Sequence, residues 1–525
     1  MSETREERNN DAQTTREAGD VRASSLDIAD EALQELAARA VGLVKEYFAR
    51  VSESPVLTPT PATELDARFD APLPAAPDSL DEMFADCRRI FEGSRHSGHP
   101  RMFGYVASPA TPVGAFADLI ASALNQNVPA WRSAPSATHV EKTVVRWLAE
   151  MIDYADGAGG LLTSGGSMAN LNALYVAHRT KSRANSGGDD EGRAGDVSQK
   201  GLWRVARPAT VYVSDQTHMS LAKAADILGL GREQVRVVET DENFRMDVRR
   251  LREMIERDVR AGFEPCCVVA NAGTVNTGAV DPLAEIARVA REHGLWFHID
   301  GAYGALATVD PQKRSLFDGL GLADSVALDP HKWLYTPVDC GCLLFRDASR
   351  VRAAWAGSEA DYIKIFEETD DEAFAFFDYG VELSRRFRAL KIWLLLRYYG
   401  ANRIASSIAD DNALAAYFGA SVEASEDFQL LAPVELSICC FRYVPPGARR
   451  ALETAGEAER ARVEAELDAL NERIMRAVQR GGRAYVSNAV LRGRFSLRAC
   501  VINFRTTRRD IELTLEIIRD AAREL

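Results

Sequence analysis

Between about Ala130 and Arg346, short apolar runs rich in β-formers alternate with helical segments: Val211 to Ser214, Cys266 to Ala270, Leu295 to Asp300, Ser325 to Leu328 and Gly341 to Phe345. Few folds accommodate that alternation, because parallel strands need crossovers long enough to cover a sheet face. It predicts an α/β fold with a mainly parallel sheet and helices on both faces. One crossover is especially legible. After the strand ending near Asn271, Asp281 is placed to cap a helix with Pro282 at its first position, and Gly294 follows the last turn before the next strand.

A chain of 525 residues, 46% of them hydrophobic, can bury one large core and at least one satellite. Residues 1–27 carry few large apolar groups and read as a disordered tail. From Ile28 to Val51, Leu33, Leu36, Ala40, Leu43, Val44 and Tyr47 recur at helical spacing, and the Pro-rich stretch from Pro55 to Pro77 runs extended. That amphipathic helix needs a surface to lie on, and a second subunit is a natural one. Lys181 to Lys200 is poor in apolar residues and reads as a mobile surface insertion. Beyond about Leu394, a long helical segment (Arg449 to Arg480) precedes strands near Arg483 to Ser487 and Arg494 to Phe504. The expected domains are a tail (1–27), an N-terminal helical arm (28–115), a large domain (116–393) and a smaller α+β C-terminal domain (394–525).

The formal net charge of −14, with Lys and Arg scattered, argues against nucleic acid or an anionic membrane surface and for a small-molecule partner. The adjacent pairs Cys266-Cys267 and Cys439-Cys440 lie in strand-like runs and point to opposite faces, as reduced core thiols do. Cys340 and Cys342 have no second ligand pair at zinc spacing, so no metal site is expected. With no signal peptide and no apolar run near the roughly 18 residues of a membrane span, the cytoplasm is the expected compartment.

Ligands of open parallel sheets bind beyond the carboxyl ends of strands. Thr163-Ser164-Gly165-Gly166-Ser167 precedes a helical pattern from Met168 to His178; it is either an ordinary Gly-rich turn or an anion site on a helix N-terminus. Asp300 terminates the apolar run Leu295 to Ile299, where a carboxylate needs a cap, a salt bridge or a cationic ligand nitrogen. Lys332 follows Asp329-Pro330-His331 just past a buried strand, and a lysine there either snorkels to solvent or meets a partner. His218 ends another strand within Asp215-Gln216-Thr217-His218, as a turn residue or as part of a site. Together, an amine nucleophile, a strand-end carboxylate and an anion site form the protein's side of pyridoxal phosphate chemistry.

Over roughly residues 30 to 525 the chain resembles the group II pyridoxal-phosphate-dependent decarboxylases, the family of aromatic-L-amino-acid, histidine and glutamate decarboxylases. The resemblance is carried by His99-Pro100 through Ser108, Thr163 to Ser167, Asp215 to His218, His298-Ile299-Asp300-Gly301-Ala302-Tyr303, Asp329-Pro330-His331-Lys332-Trp333 and Ser384 through Trp393. It implies a fold type I homodimer with a mainly parallel seven-stranded sheet and the N-terminal arm wrapped over the partner. By the same resemblance Lys332 carries pyridoxal 5'-phosphate as a Schiff base, Asp300 pairs with the ring nitrogen and His218 stacks on the ring. Gly165, Gly166 and Ser167 cradle the phosphate, with Thr274, Asp329 and His331 beside it.

The activity so implied is decarboxylation of an L-amino acid to its amine and CO2. Asp361-Tyr362-Ile363-Lys364 resembles the mobile loop whose tyrosine protonates Cα after CO2 leaves, and Tyr362 there favours amine over aldehyde as product. Phe103, Tyr105, Ser108 and Trp131 match positions that line the side-chain pocket in the aromatic enzymes, which points to an aromatic substrate of the tyrosine, dopa or tryptophan type. Arg132 departs from the small residue of the animal aromatic enzymes and either pairs with an acidic side chain or points to solvent; Asp329 replaces their asparagine. A decarboxylase of glutamate or another L-amino acid, an aromatic aldehyde synthase and a catalytically silent scaffold are the alternative readings.

Overall fold

The computed structural model describes residues 26–184, 201–202, 207–355, 369 and 372–525. The loop tyrosine Tyr362, nearly all of the 1–27 tail and most of the 181–200 insertion lie outside the described residues. The chain divides into two compact units, one taking in the described residues up to Arg50 with Thr60–Ser94, the other Val51–Pro59 with Arg95–Leu525.

The smaller unit holds helices α1 (Asp30–Arg50), α2 (Ala62–Phe69) and α3 (Leu80–Glu92). Ser79 and Glu82 form a reciprocal capping box that starts α3, so two otherwise orphaned backbone donors are satisfied. Arg39 on α1 bridges Glu35 and Asp81, and Tyr47 meets Phe91 edge-on with ring centroids 5.2 Å apart.

The larger unit is built on a seven-stranded sheet with strands β1 (Gly159–Thr163), β2 (Ala209–Ser214), β3 (Val235–Val238), β4 (Glu264–Asn271), β5 (Trp296–Asp300), β6 (Ser325–Leu328) and β7 (Gly341–Phe345). Their order is β1-β7-β6-β5-β4-β2-β3. The neighbours from β3 to β6 pair in parallel, while β7 runs antiparallel to both β1 and β6. The sheet is mainly parallel, as expected, and β2 and β5 to β7 are buried along their whole length, as strands covered on both faces must be. Helices that flank it include α4 (Pro112–Leu124), α5 (Pro135–Met151), α6 (Gly166–Ala184), α7 (Ser220–Ile227), α8 (Val248–Arg260), α9 (Leu283–Glu292), α10 (Ala348–Trp355) and α11 (Ala389–Tyr399), while α12 (Ala401–Glu423) packs on the strands that follow it. A second, antiparallel sheet follows in the order β10-β11-β9-β8, from β8 (Phe428–Leu430), β9 (Ile438–Tyr443), β10 (Ser487–Leu491) and β11 (Arg494–Cys500). Phe418, Phe428, Phe441, Leu497 and Ile518 form its core.

Several local expectations are corrected: the stretch from Pro55 to Pro77 is interrupted by α2 (Ala62–Phe69), and the strand expected near Arg483 to Ser487 runs from Ser487 to Leu491. Asp281 does not cap α9, whose N-cap is Pro282. The Asp281 carboxylate is buried and accepts instead from the backbone N–H groups of Met246 and Asn271, both at 2.7 Å, and from Asn271 Nδ2 at 3.0 Å. Interior donors outcompete the helix end, and burial raises its pKa to about 6. The long helix expected from Arg449 to Arg480 is two, α13 (Pro446–Thr454) and α14 (Glu457–Gly481), parted where Ala455 is extended and Gly456 starts a new N-terminus followed by Glu457 and Glu459. The last helix is α15 (Arg508–Arg523). The cysteine pairs lie buried in β4 and β9 as expected.

Candidate active site

The carboxyl ends of β1, β2, β4, β5 and β6 open on one cavity of about 320 Å³, lined by residues that include Ser164 to Met168, Asn170, His218, Ser220, Asp300, Asp329, His331 and Lys332. The parallel register brings Asn271 and Asp300 level at the ends of β4 and β5. Asp300, buried, accepts from Ala302 N at 3.2 Å on one oxygen and from Asn170 Nδ2 at 2.8 Å on the other.

Beyond β6, Asp329 leads into a helical turn at Pro330–Trp333, whose first N–H is absent because proline sits there. The turn carries Lys332, whose Nζ lies 3.0 Å from Asp329 Oδ2, so the amine has its counter-ion within the same turn. Asp329 Oδ1 is buried and has no hydrogen-bond partner among the described residues. His331 takes the N–H of Cys340 on Nδ1 at 3.1 Å, which leaves the proton on Nε2, 3.7 Å from Asp329 Oδ2. Burial lowers the His331 pKa, and partial desolvation lowers that of His218, so both rings favour the neutral form.

The turn between β1 and α6 approaches its neighbours as only glycine can. Gly165 has φ +154°, and a Cβ on Gly166 would stand 2.8 Å from Ala302 Cβ and 3.0 Å from Asp329 Oδ2. The first N–H groups of α6 therefore face the cavity beside Ser167, where the helix dipole favours an anion. Beneath the turn, Arg385 and Glu141 form a fully buried ion pair, and both also bond to the backbone of Leu162.

Lys332, Asp300, His218, Gly165, Gly166, Ser167, Asp329 and His331, all singled out in the sequence, thus share one cavity. Thr274 is buried between Gly273 and Val275, with its hydroxyl bonded to Thr277 Oγ1 and the Ala279 N–H. Ser108 donates to the His331 carbonyl at 3.0 Å. Tyr105 is half exposed, with φ +61° and its hydroxyl 3.2 Å from that of Tyr485. Phe103 is buried against Phe418 in the core of the second sheet, and Trp131 donates from its indole nitrogen to His139 at 3.1 Å; neither is among the described residues lining the cavity. Sequence reasoning passed over Asn170 and Ser220. The available signal was an asparagine on the buried face of α6, between Ala169 and Ala173, where a polar group needs partners.

The residues fit pyridoxal 5'-phosphate: a cradle that a methyl group would fill, a buried acceptor without a partner at Asp329, and an amine and a second carboxylate facing the same space. Comparison with known proteins agrees. The model of the pyridoxal-dependent decarboxylase conserved domain matches residues 61–444. The aromatic-L-amino-acid decarboxylase of Bacillus atrophaeus is 32% identical over 95% of this chain and 98% of its own. Among solved structures, mouse CSAD superposes with a TM-score of 0.85 at 28% identity, covering 95% of this chain and 100% of that one. Oryza sativa TDC, solved with PLP and tryptamine, gives 0.84 at 28% identity, covering 95% and 99%.

Proposed function

We propose that this chain, which belongs to the pyridoxal-dependent decarboxylase family and is a PLP-dependent amino acid decarboxylase, acts on aromatic L-amino acids to give the amine and CO2. The observation that carries this reading is the composition of the cavity. Among its described lining residues Lys332 is the one ammonium or guanidinium group, and it is engaged by Asp329, so an acidic substrate side chain finds no counter-charge there. The B. atrophaeus relative and the TDC structure with tryptamine, an aromatic amine, point the same way.

In this proposal Lys332 holds the cofactor through its amine, Asp300 presents a carboxylate toward the ring nitrogen, and the N–H groups of Gly165, Gly166 and Ser167 take the phosphate. When bound, pyridoxal phosphate supplies an aldehyde that captures amines and a ring that withdraws electrons from the substrate Cα. Asp329 sets the Lys332 amine at the foot of the cavity through the 3.0 Å contact, and its free Oδ1 is an acceptor in waiting. Thr274 keeps the Gly273 to Val275 turn in shape, and Ser108 steadies the backbone of His331. His218 offers an Nε2–H to the cavity. Tyr105 and Trp131 are proposed to reach the substrate side chain, with Phe103 supporting them from the adjoining core. Tyr362, outside the described residues, keeps in this proposal the role of proton donor to Cα.

The proposal extends to a homodimer in the cytoplasm. The homodimer is supported by α4, which exposes Phe116, Leu119, Ile120 and Leu124. No helix among the described residues is long and apolar enough to cross a membrane.

The test is a screen of purified enzyme with added pyridoxal phosphate against the common L-amino acids, dopa, 5-hydroxytryptophan and cysteine sulfinate, with amine and CO2 both measured. Amines from aromatic substrates are expected, and borohydride is expected to fix the cofactor on Lys332. Preferential turnover of glutamate or cysteine sulfinate would reverse the substrate assignment, and aldehyde in place of amine would reverse the product.

A further inference from the structure

Asn170 lies one turn inside α6, 1% exposed, and has no role in the reading above. Its amide touches two groups that do. Nδ2 donates to Asp300 Oδ2 at 2.8 Å and to Ser220 Oγ at 3.1 Å. Its Oδ1 is turned the other way and meets His298 Nε2 at 2.9 Å. A carbonyl oxygen only accepts, so the proton of His298 sits on Nε2. The ring's Nδ1 then accepts from the Ser325 hydroxyl at 2.9 Å, whose oxygen in turn takes the Trp296 indole N–H at 2.9 Å. In the opposite tautomer, with Nδ1–H toward the Ser325 carbonyl at 3.2 Å, the Asn170 carbonyl would face the Asp300 carboxylate. Two acceptors at that distance in a buried site repel, which excludes it.

The other branch is equally determined. The Ser220 N–H donates to His218 Nδ1 at 3.2 Å, so this nitrogen is an acceptor. Ser220 Oγ, having accepted from Asn170, lies 2.9 Å from the same nitrogen and gives it the hydroxyl proton. The His218 proton is left on Nε2.

We propose that Asn170 is a positioning residue that locks Asp300 and His218 into one hydrogen-bond polarity, so that the network presents an acceptor to the cavity at Asp300 and a donor at His218. The proposal rests on the functional reading above, since it gives those two groups their roles. Burial suits the arrangement: desolvation holds the His298 pKa down at about 4, so the ring stays a neutral one-donor, one-acceptor relay. His218 faces Asp300, Lys332, Asp329 and Lys223, which act on it in opposite directions.

Asn170→Asp is the direct test. A carboxylate there cannot donate; beside Asp300 it must share a proton with it, and it draws the Ser220 hydroxyl away from His218. Expected are a rise on the order of tenfold or more in the pyridoxal phosphate dissociation constant of the apoprotein, read by fluorescence quenching, and a raised apparent pKa of His218, read by NMR of 13C-labelled histidine in the same apoprotein. Ser220→Ala cuts one branch. It should raise the His218 pKa through loss of the hydroxyl donor to Nδ1, the backbone N–H of residue 220 remaining, with a smaller effect on cofactor affinity than Asn170→Asp. An Asn170→Asp protein that binds the cofactor as tightly as wild type, with His218 titrating unchanged, overturns the proposal. If that variant does not melt cooperatively, an unmoved His218 titration in Ser220→Ala overturns it. If wild-type protein takes up no pyridoxal phosphate the functional reading fails, while the two apoprotein titrations still decide the network.

Discussion

Adding one methyl group at Gly166 tests whether the turn before α6 is a cofactor cradle or an ordinary helix start. Its Cβ would stand 2.8 Å from Ala302 Cβ and 3.0 Å from Asp329 Oδ2, where relaxed carbon–carbon contact needs about 3.5–4.0 Å. Either α6 or the turn after Asp300 must shift by roughly 0.7 Å or more. In the apoprotein two effects oppose each other. Alanine suits a helix better than glycine by up to about 1 kcal/mol, and forcing a methyl group into a packed site costs about 1–3 kcal/mol. The net loss of stability is therefore modest, between about 0 and about 3 kcal/mol. The site loses more, because α6 carries Ser167 and the cradle N–H groups and the turn adjoins Asp300, and misplacement on the order of 1 Å costs on the order of a hundredfold in activity. Melting of the apoprotein, its pyridoxal phosphate dissociation constant and kcat/KM separate the two. Gly166→Ala should melt near wild type, bind cofactor at least about tenfold more weakly and turn over more slowly still. Adding Ala302→Gly removes the nearer clash and should restore part of the affinity. Wild-type affinity in the single variant, or no recovery in the double, refutes the cradle.

Three further outcomes follow from features elsewhere. Glu141→Ala and Arg385→Ala should each cost about 3–5 kcal/mol in chemical denaturation, because each strands a buried charge, and the double variant should lose little more than either; additive losses would contradict a true pair. His178 is held neutral by burial, its pKa lowered from 6.5 to about 4. The unfolded chain binds that proton first, so stability present above about pH 6.5 is lost as pH falls toward 4, by about 1.4 kcal/mol per pH unit inside that window. His178→Asn should flatten the slope by that amount, and an unchanged slope between pH 5 and 6 would contradict the burial. Leu119→Glu with Ile120→Glu on α4 should convert a dimer to monomers by light scattering; an unchanged mass would place the interface elsewhere.

How much of this was readable before any coordinates depends on how local the signal is. Asp300, Asp329 and Lys332 stand out because each follows an unbroken apolar strand, so a charge at that point needs an explanation. Gly166 is legible as a turn, but not its 2.8 Å approach to Ala302, which is 136 positions away in the chain (302 − 166). Asp281 has the sequence context of a helix cap; two backbone donors from separate segments claim it, and no local pattern announces them. Strands β1 and β3 went unread, β1 because it opens on Gly159-Gly160 and β3 because its four residues include Arg236. The reversed direction of β7 was not legible either: the twelve residues from Asp329 to Cys340 between β6 and β7 are just enough for a crossover. Asn170 belongs to the long-range class, since its partners come from one strand, β5, and one helix start, 50 to 130 positions along the chain.

That reversal of β7 has a mechanical result. Because the strand begins at the edge where β1 and β6 finish, Gly341 abuts the main chain of Gly165 so closely that an added Cβ would lie 2.5 Å from its Cα. The Cys340 carbonyl meanwhile receives the N–H of His331 at 3.1 Å. The amine-bearing turn and the anion cradle are thereby splinted to a common strut, and a load applied to either is transmitted to the other without passing through any ligand.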